Sequence, residues 1–171
     1  MIRLYLTGCT KSDEHEAARK LSEYAFRDIF KRSAMLCHDK NGRPRFKDED
    51  KIHISISHSN TLCAVAISDH EIGVDIEYTD GTEERLVRLA KRYFTPSEAD
   101  YVIKAPAMNF YEVWCAKESY MKYTGEGFAR PMSSFSVFDS ELCFSHFLYE
   151  DYAVCICSSE KYTSKPIYVI L

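Results

Sequence analysis

Three short segments carry side chains whose types and spacing can do chemistry. Asp75 and Glu77 stand two apart in Gly73 to Glu77, GVDIE. Alternate side chains of a strand share a face, so both carboxylates project from one side. Two carboxylates held together repel unless a positive charge lies between them. Mg²⁺ suits such a pair, because it takes hard oxygen ligands from one or two carboxylates and completes its shell with water and phosphate. A solvated acidic strand edge has the same sequence, so the pair alone decides nothing. Trp114 to Lys122 reads WCAKESYMK. On a helix, Phe110, Val113, Trp114, Lys117 and Met121 form one stripe, which sets Lys117 within an apolar face and Glu118 on its flank, one turn before Lys122. A charge there costs free energy unless it is paired or binds something. The plainer readings are a surface Glu118–Lys122 pair and a Lys117 stem that covers apolar surface while its ammonium reaches water. In Ser55 to Ser59, SISHS, His58 lies between two hydroxyls, an arrangement that can hold a phosphate or simply close a strand.

The elements that must position these groups follow from periodicity. Ala18, Leu21, Ala25 and Ile29 recur at helical spacing and predict an amphipathic helix from Asp13 to about Phe30. Asp39 to Pro44, DKNGRP, carries turn punctuation. His53 to Ser57, Leu62 to Ser68 and Glu71 to Tyr78 read as short strands. Thr82 opens a helix to about Tyr93. Thr95, Pro96 and Glu98 mark the start of another, with Glu98 closing a capping box. Asn109 with Glu112 repeats that signal for a helix from Phe110 to about Thr124, stopped by Gly125. Phe135 to Phe138, Leu142 to Leu148, Tyr152 to Ser158 and Ile167 to Leu171 are expected to be closing strands. Ala64-Val65-Ala66-Ile67 and Ala153-Val154-Cys155-Ile156 echo one another, which fits two similar halves.

Composition sets the bounds. With 171 residues, 46% hydrophobic and 28% charged, the chain can bury a real core and has no tract that favours disorder. A net charge of -4 gives no global reason to expect nucleic-acid binding. No apolar run approaches the ~18 residues of a membrane span, and the start lacks a leader's apolar stretch, so a cytoplasmic protein is expected. The seven cysteines contain no C-x-x-C pair, and most lie in apolar runs as small reduced hydrophobes.

Gly42-Arg43-Pro44, then Ser57-His58, then G-x-D-x-E, then W-x-x-K-E-x-x-x-K make up a motif order that resembles the 4'-phosphopantetheinyl transferase superfamily from Gly42 to Phe138, most nearly its larger, single-chain branch. The resemblance implies an α+β fold of two similar pseudo-twofold-related lobes, each a small mostly antiparallel sheet packed with a long helix. The lobes would be 1–78 and 79–171, with the site between them. It implies Mg²⁺ held by Asp75, Glu77 and Glu118 against the pyrophosphate of coenzyme A, and phosphate contacts from Ser57, His58, Lys122 and Arg43, the last standing where the family usually has lysine. Glu118, Lys122 and His58 would be catalytic, with Glu118 the first candidate to accept the proton of a carrier-protein serine.

Arg19 and Lys20 are candidates for a nucleotide 3'-phosphate contact. Arg85, Arg88, Lys91 and Arg92 could meet an acidic acyl or peptidyl carrier protein, and a two-lobed chain implies a monomer. A coenzyme A pyrophosphate hydrolase and a non-catalytic binding module stay open beside the transferase reading. Turnover without carrier would mark the hydrolase, and Mg²⁺-dependent labelling of a carrier would exclude the module.

Overall fold

The structure is a computed structural model that describes residues 1–127 and 130–171. It is a mixed α+β fold. In chain order it runs β1 (Ile2–Gly8), α1 (Glu14–Phe30), β2 (Leu36–His38), β3 (Pro44–Phe46), β4 (His53–Ser59), β5 (Leu62–Ser68) and β6 (Ile72–Tyr78). Then come α2 (Glu83–Tyr93), α3 (Pro96–Lys104), α4 (Pro106–Thr124), a 3₁₀ turn (Met132–Ser134), β7 (Cys143–Tyr149), β8 (Tyr152–Ser158) and β9 (Ile167–Tyr168). One sheet has the order β4-β5-β1-β9 and another β6-β8-β7, with β2 and β3 forming a separate hairpin.

Alternation along the strands builds the layers. Leu4, Leu6, Ala64 and Ala66 of the first sheet meet Val74, Ile76, Val154 and Ile156 of the second in a shared core. On the far side of the first sheet, Tyr5, Val65 and Ile67 pack against Leu21, Ala25 and Phe26 of α1. On the far side of the second, Ala153 and Cys155 pack against α2, α3 and α4 through residues such as Leu86, Val102 and Val113. The α1 stripe thus faces its sheet, as burial of one apolar face requires, whereas α4 meets the second sheet through Cys115 and Ser119 and turns Phe110 and Lys117 toward Phe94, Glu98 and the 3₁₀ segment.

Several boundaries differ from expectation, each for a local reason. β1, not singled out from sequence, is a strand that pairs antiparallel with β5 and parallel with β9. α4 begins at Pro106 rather than Phe110: Pro106 occupies the first turn, where a missing N–H costs nothing, and Asn109 lies inside the helix, its Nδ2 donating to Tyr101 O at 2.7 Å. Glu112 accepts from Tyr101 Oη at 2.8 Å and caps nothing. Phe135 to Phe138 is not a strand. The Phe135 carbonyl accepts from Lys117 and the Val137 N–H donates to Glu98, so side chains take the groups a strand would pair. The Thr95 capping box on α3 is present as expected, and Gly125 ends α4 at φ 72°.

Candidate active site

Asp75 and Glu77 lie on the face of β6 that looks toward α4, opposite Cys155 and Ala153 of β8. The first glycine of the G-x-D-x-E run shares that face. A Cβ on Gly73 would lie 1.8 Å from Ser119 O and 2.7 Å from Tyr123 N, so only glycine lets the α4 backbone rest on the strand. That approach delivers Glu118 and Lys122 to the two acids.

The acids are held firmly. Asp75, 3% exposed, accepts at Oδ1 from Ser57 Oγ at 2.9 Å and from Lys122 Nζ at 2.8 Å. Its other oxygen, Oδ2, is buried and has no hydrogen-bond partner among the described residues. Glu77 accepts from Trp114 Nε1 at 3.0 Å and from Ser59 Oγ at 3.1 Å. The plainer alternative, a Glu118–Lys122 surface pair, does not form: Lys122 gives its three N–H bonds to Ser57 Oγ, Val74 O and Asp75. Ser57 is likewise saturated, donating to Asp75 while accepting from Lys122 and from Ile76 N–H at 3.3 Å.

Three carboxylates and one ammonium leave a formal excess of two negative charges in a largely buried place, and a buried oxygen without a partner is costly. Burial first, and the Asp75 charge second, push Glu77 up to about 7; the same two causes in the same order push Glu118 up to about 7. The arrangement accepts a cation or protons. Its ligand oxygens are not pre-gathered, however. Among the described residues, the one group with donor atoms all within 4.8 Å of one another is Asp69, His70 and Glu160, exposed and far along the fold. There Asp69 is already engaged by His70 and the terminal ammonium of Met1.

A stability test follows from these two glutamates. Each binds its proton more tightly folded than unfolded, so between the ordinary value of 4.5 and about 7 the native state holds more protons, and the contribution of both groups to stability falls as pH rises. Thermal melts across that window should show a smaller fall for Glu77→Gln/Glu118→Gln than for the parent. Parallel curves for the two proteins would count against strained carboxylates.

The acids line a cavity of about 1090 Å³ between α1 and α4, whose walls also include His58, Trp114, Lys122 and Arg130. Such a volume suits a ligand larger than an ordinary drug-sized molecule. His58 sits at its wall with Nδ1 3.4 Å from Glu14 Oε2. Arg19 also reaches the wall, though it is paired with Glu16 and Glu23; Lys20 pairs with Glu16 and does not line the cavity. Arg43 belongs to an adjoining recess of about 280 Å³, its guanidinium tied to the Glu71 carboxylate and, at 3.1 Å, to Tyr123 O.

His15 and His38 also line the cavity and were not singled out by sequence. The one available signal for His15 was its place on the α1 turn before Arg19. Lys117 is paired, as a charge within an apolar face requires, and does not take the snorkelling alternative. Rather than reaching water it is fully buried, 2.8 Å from Glu98 Oε2, and donates to Met132 O at 2.8 Å and Phe135 O at 2.6 Å. It ties to the core the segment that carries Met132 into the cavity wall. The buried cysteines are not nucleophiles: burial pushes Cys63 and Cys157 up to about 12 and Cys115 well up.

Comparison with known proteins agrees with the motif order. The chain is 38% identical over 101 residues to the "4'-phosphopantetheinyl transferase" of Bacillus subtilis, an alignment that covers 56% of this chain and 43% of that protein. It is 38% identical over 100 residues to the "4'-phosphopantetheinyl transferase gsp" of Aneurinibacillus migulanus, covering 55% and 39%. To the "4'-phosphopantetheinyl transferase AcpT" of Escherichia coli O157:H7 it is 28% identical over 133 residues, covering 75% and 68%. The matched part thus spans less than half the length of the first two relatives. A family model described as "4'-phosphopantetheinyl transferase superfamily" matches residues 71–169, beginning just before the strand with the two acids and running through α4 and the second sheet to just past β9. Since that match takes in more than half of the chain, the protein belongs to the 4'-phosphopantetheinyl transferase superfamily.

Proposed function

We propose that the protein transfers the 4'-phosphopantetheine group of coenzyme A to a serine of an acyl or peptidyl carrier protein, with Mg²⁺, releasing adenosine 3',5'-bisphosphate. The observation that carries this reading is the meeting of Asp75, Glu77, Glu118 and Lys122 on one large cavity, with a buried Asp75 oxygen lacking any partner. The residues fit a divalent cation: an all-carboxylate donor set is hard, and its excess charge of two is neutralised by one such ion. Asp75, Glu77 and Glu118 would hold it. The chemistry it would supply is Lewis-acid polarisation of the attacked phosphorus.

The chain's own groups do the rest. Lys122 anchors Asp75 and presents positive charge at the cavity wall, where charge spreads over phosphoryl oxygens in the transition state. His58, with Nδ1 facing Glu14, donates from Nε2 to a phosphate oxygen when protonated. Glu118, on the cavity wall beside the two strand acids, takes the serine proton as the serine oxygen attacks. The serine O–P bond forms, the bridging P–O bond of the diphosphate breaks, and the bond's electrons leave with the nucleotide phosphate. Ser57, whose bonds are all used internally, acts by orienting Asp75 and Lys122. Arg43, pinned by Glu71, serves ligand atoms that enter the side recess, and Arg19 serves the nucleotide end.

The two sheets support reading the chain as a pair of similar lobes. In each, a first strand precedes a long helix and then pairs antiparallel with the second strand of a hairpin: β1 with β5, and β6 with β8. Because β6 pairs with β8, we place the boundary between Ser68 and Ile72 rather than after Tyr78. The site then falls where the lobes meet. Monomeric, cytoplasmic action fits this reading; among the described residues no helix is long and apolar enough to cross a membrane.

The reading is tested by incubating the protein with coenzyme A, Mg²⁺ and a set of apo-carrier proteins and following carrier mass. A mass gain of one phosphopantetheine that requires Mg²⁺ supports it, and coenzyme A consumed without carrier would replace it with hydrolysis. Docking has a separate expectation. Arg85, Arg88, Lys91 and Arg92 are exposed on α2 and, among the described residues, form no ion pair, so they can meet an acidic partner. Arg88→Glu/Arg92→Glu should weaken carrier binding about tenfold or more at low salt while leaving coenzyme A affinity in place. Equal carrier affinities in parent and variant, read by titration, would remove α2 from the interface.

A further inference from the structure

β4 and β6 belong to different sheets, and β6 has its main-chain partner, β8, on only one edge. Its other edge is nevertheless satisfied. Val74 N–H donates to Ser55 Oγ at 2.9 Å, Ile76 N–H to Ser57 Oγ at 3.3 Å, and Tyr78 N–H to Ser59 Oγ at 3.0 Å. The three serines occupy alternate positions of β4, so one face of that strand offers a row of hydroxyls matching the row of unpaired N–H groups on β6. A hydroxyl that accepts still has a proton to give. Two of the three spend it on the acids between the rungs: Ser57 on Asp75 at 2.9 Å and Ser59 on Glu77 at 3.1 Å. Ser55 gives none to either acid.

We propose that this hydroxyl ladder both joins the two sheets and aims the cation-binding carboxylates, with Ser59 the positioning residue for Glu77. The Ser57 and Ser59 rungs each tie a carboxylate to the backbone of its own strand through a side chain of the neighbouring one, so the acids are held to the register of the sheets. Trp114 holds the second Glu77 oxygen from α4, which leaves that carboxylate fixed from both sides of the seam. Ser57 cannot isolate the effect, since it also contacts Lys122. Ser55 supplies an internal control, because it makes the same sheet joint without touching an acid.

The inference rests on the cation reading above, and the experiment separates the two. Mg²⁺ is titrated calorimetrically into parent, Ser55→Ala, Ser59→Ala and Ser59→Thr, each with coenzyme A present, and melts are recorded alongside. Ser55→Ala and Ser59→Ala should lose comparable Tm, whereas only Ser59→Ala should bind Mg²⁺ more weakly, by about tenfold, as loss of a ligand's supporting hydrogen bond does. Ser59→Thr, which keeps the hydroxyl, should restore affinity. Parent-like Mg²⁺ affinity in Ser59→Ala, or an equal loss in Ser55→Ala, would overturn the positioning role while leaving the cation reading intact. A parent that takes up no Mg²⁺ would overturn the cation reading and this role with it.

Discussion

Asp75→Asn is expected to stay folded, with a Tm at or above the parent's, and to transfer phosphopantetheine at least about a thousandfold more slowly, a loss of about 4 kcal/mol of transition-state stabilisation. The two effects have one cause. Asp75 is buried, has an oxygen without a partner, and is the largest charged contributor to the raised proton affinities of both Glu77 and Glu118. Without a cation it strains the fold, and removing its charge relieves that strain. The Asn carbonyl still accepts from Lys122 and Ser57, so the lysine keeps its partners. With the charge gone, the remaining carboxylates no longer balance a divalent ion. Undiminished transfer, followed by carrier mass, would dismiss Asp75 as a ligand, and a collapsed melt would show that its charge supports the fold.

Lys117→Met should have the largest effect on stability. The ammonium is enclosed by Glu98, two main-chain carbonyls and the Phe135 ring, whose centroid lies 4.3 Å away. Removing one member of a buried ion pair leaves the other charge uncompensated and costs about 3 to 5 kcal/mol, which in a chain of this size lowers Tm by roughly 10 °C. Glu98 retains bonds from Thr95 N–H at 2.9 Å and Val137 N–H at 2.9 Å, so Glu98→Gln in the same chain should recover part of the loss. A single variant that melts with the parent would mean the pair is energetically neutral.

Elements set by local rules were legible before any coordinates. α1 follows from apolar spacing and α3 from its capping box, α2 opens at Thr82, β4 follows from alternation, and β5 and β6 read as short β-like runs. The candidate site was legible to the extent that strand pleat and helix stripe fixed which faces Asp75, Glu77 and Glu118 occupy. What escaped depends on partners far away in sequence. Ser57 reads as a free hydroxyl until β6 is placed beside it, and Lys117 reads as a surface stem until Glu98 and the Phe135 carbonyl close over it. Asn109 and Glu112 mimic a capping box, yet Pro106 had already begun the helix and both side chains serve the α3–α4 joint. β1, buried on both faces as β5 is, carries the exposed Arg3 within a short run and was not singled out.

The bare α-carbon of Gly73 has a reach beyond its own position. Where strand and helix touch main chain to main chain, no rotamer intervenes, so the spacing of the two backbones that carry the paired acids and the helical glutamate is set by peptide geometry. Apolar residues elsewhere in the interior can then be exchanged for others of similar bulk without altering the gauge of the site. A single added methyl at that point would instead lever the helix outward and widen it.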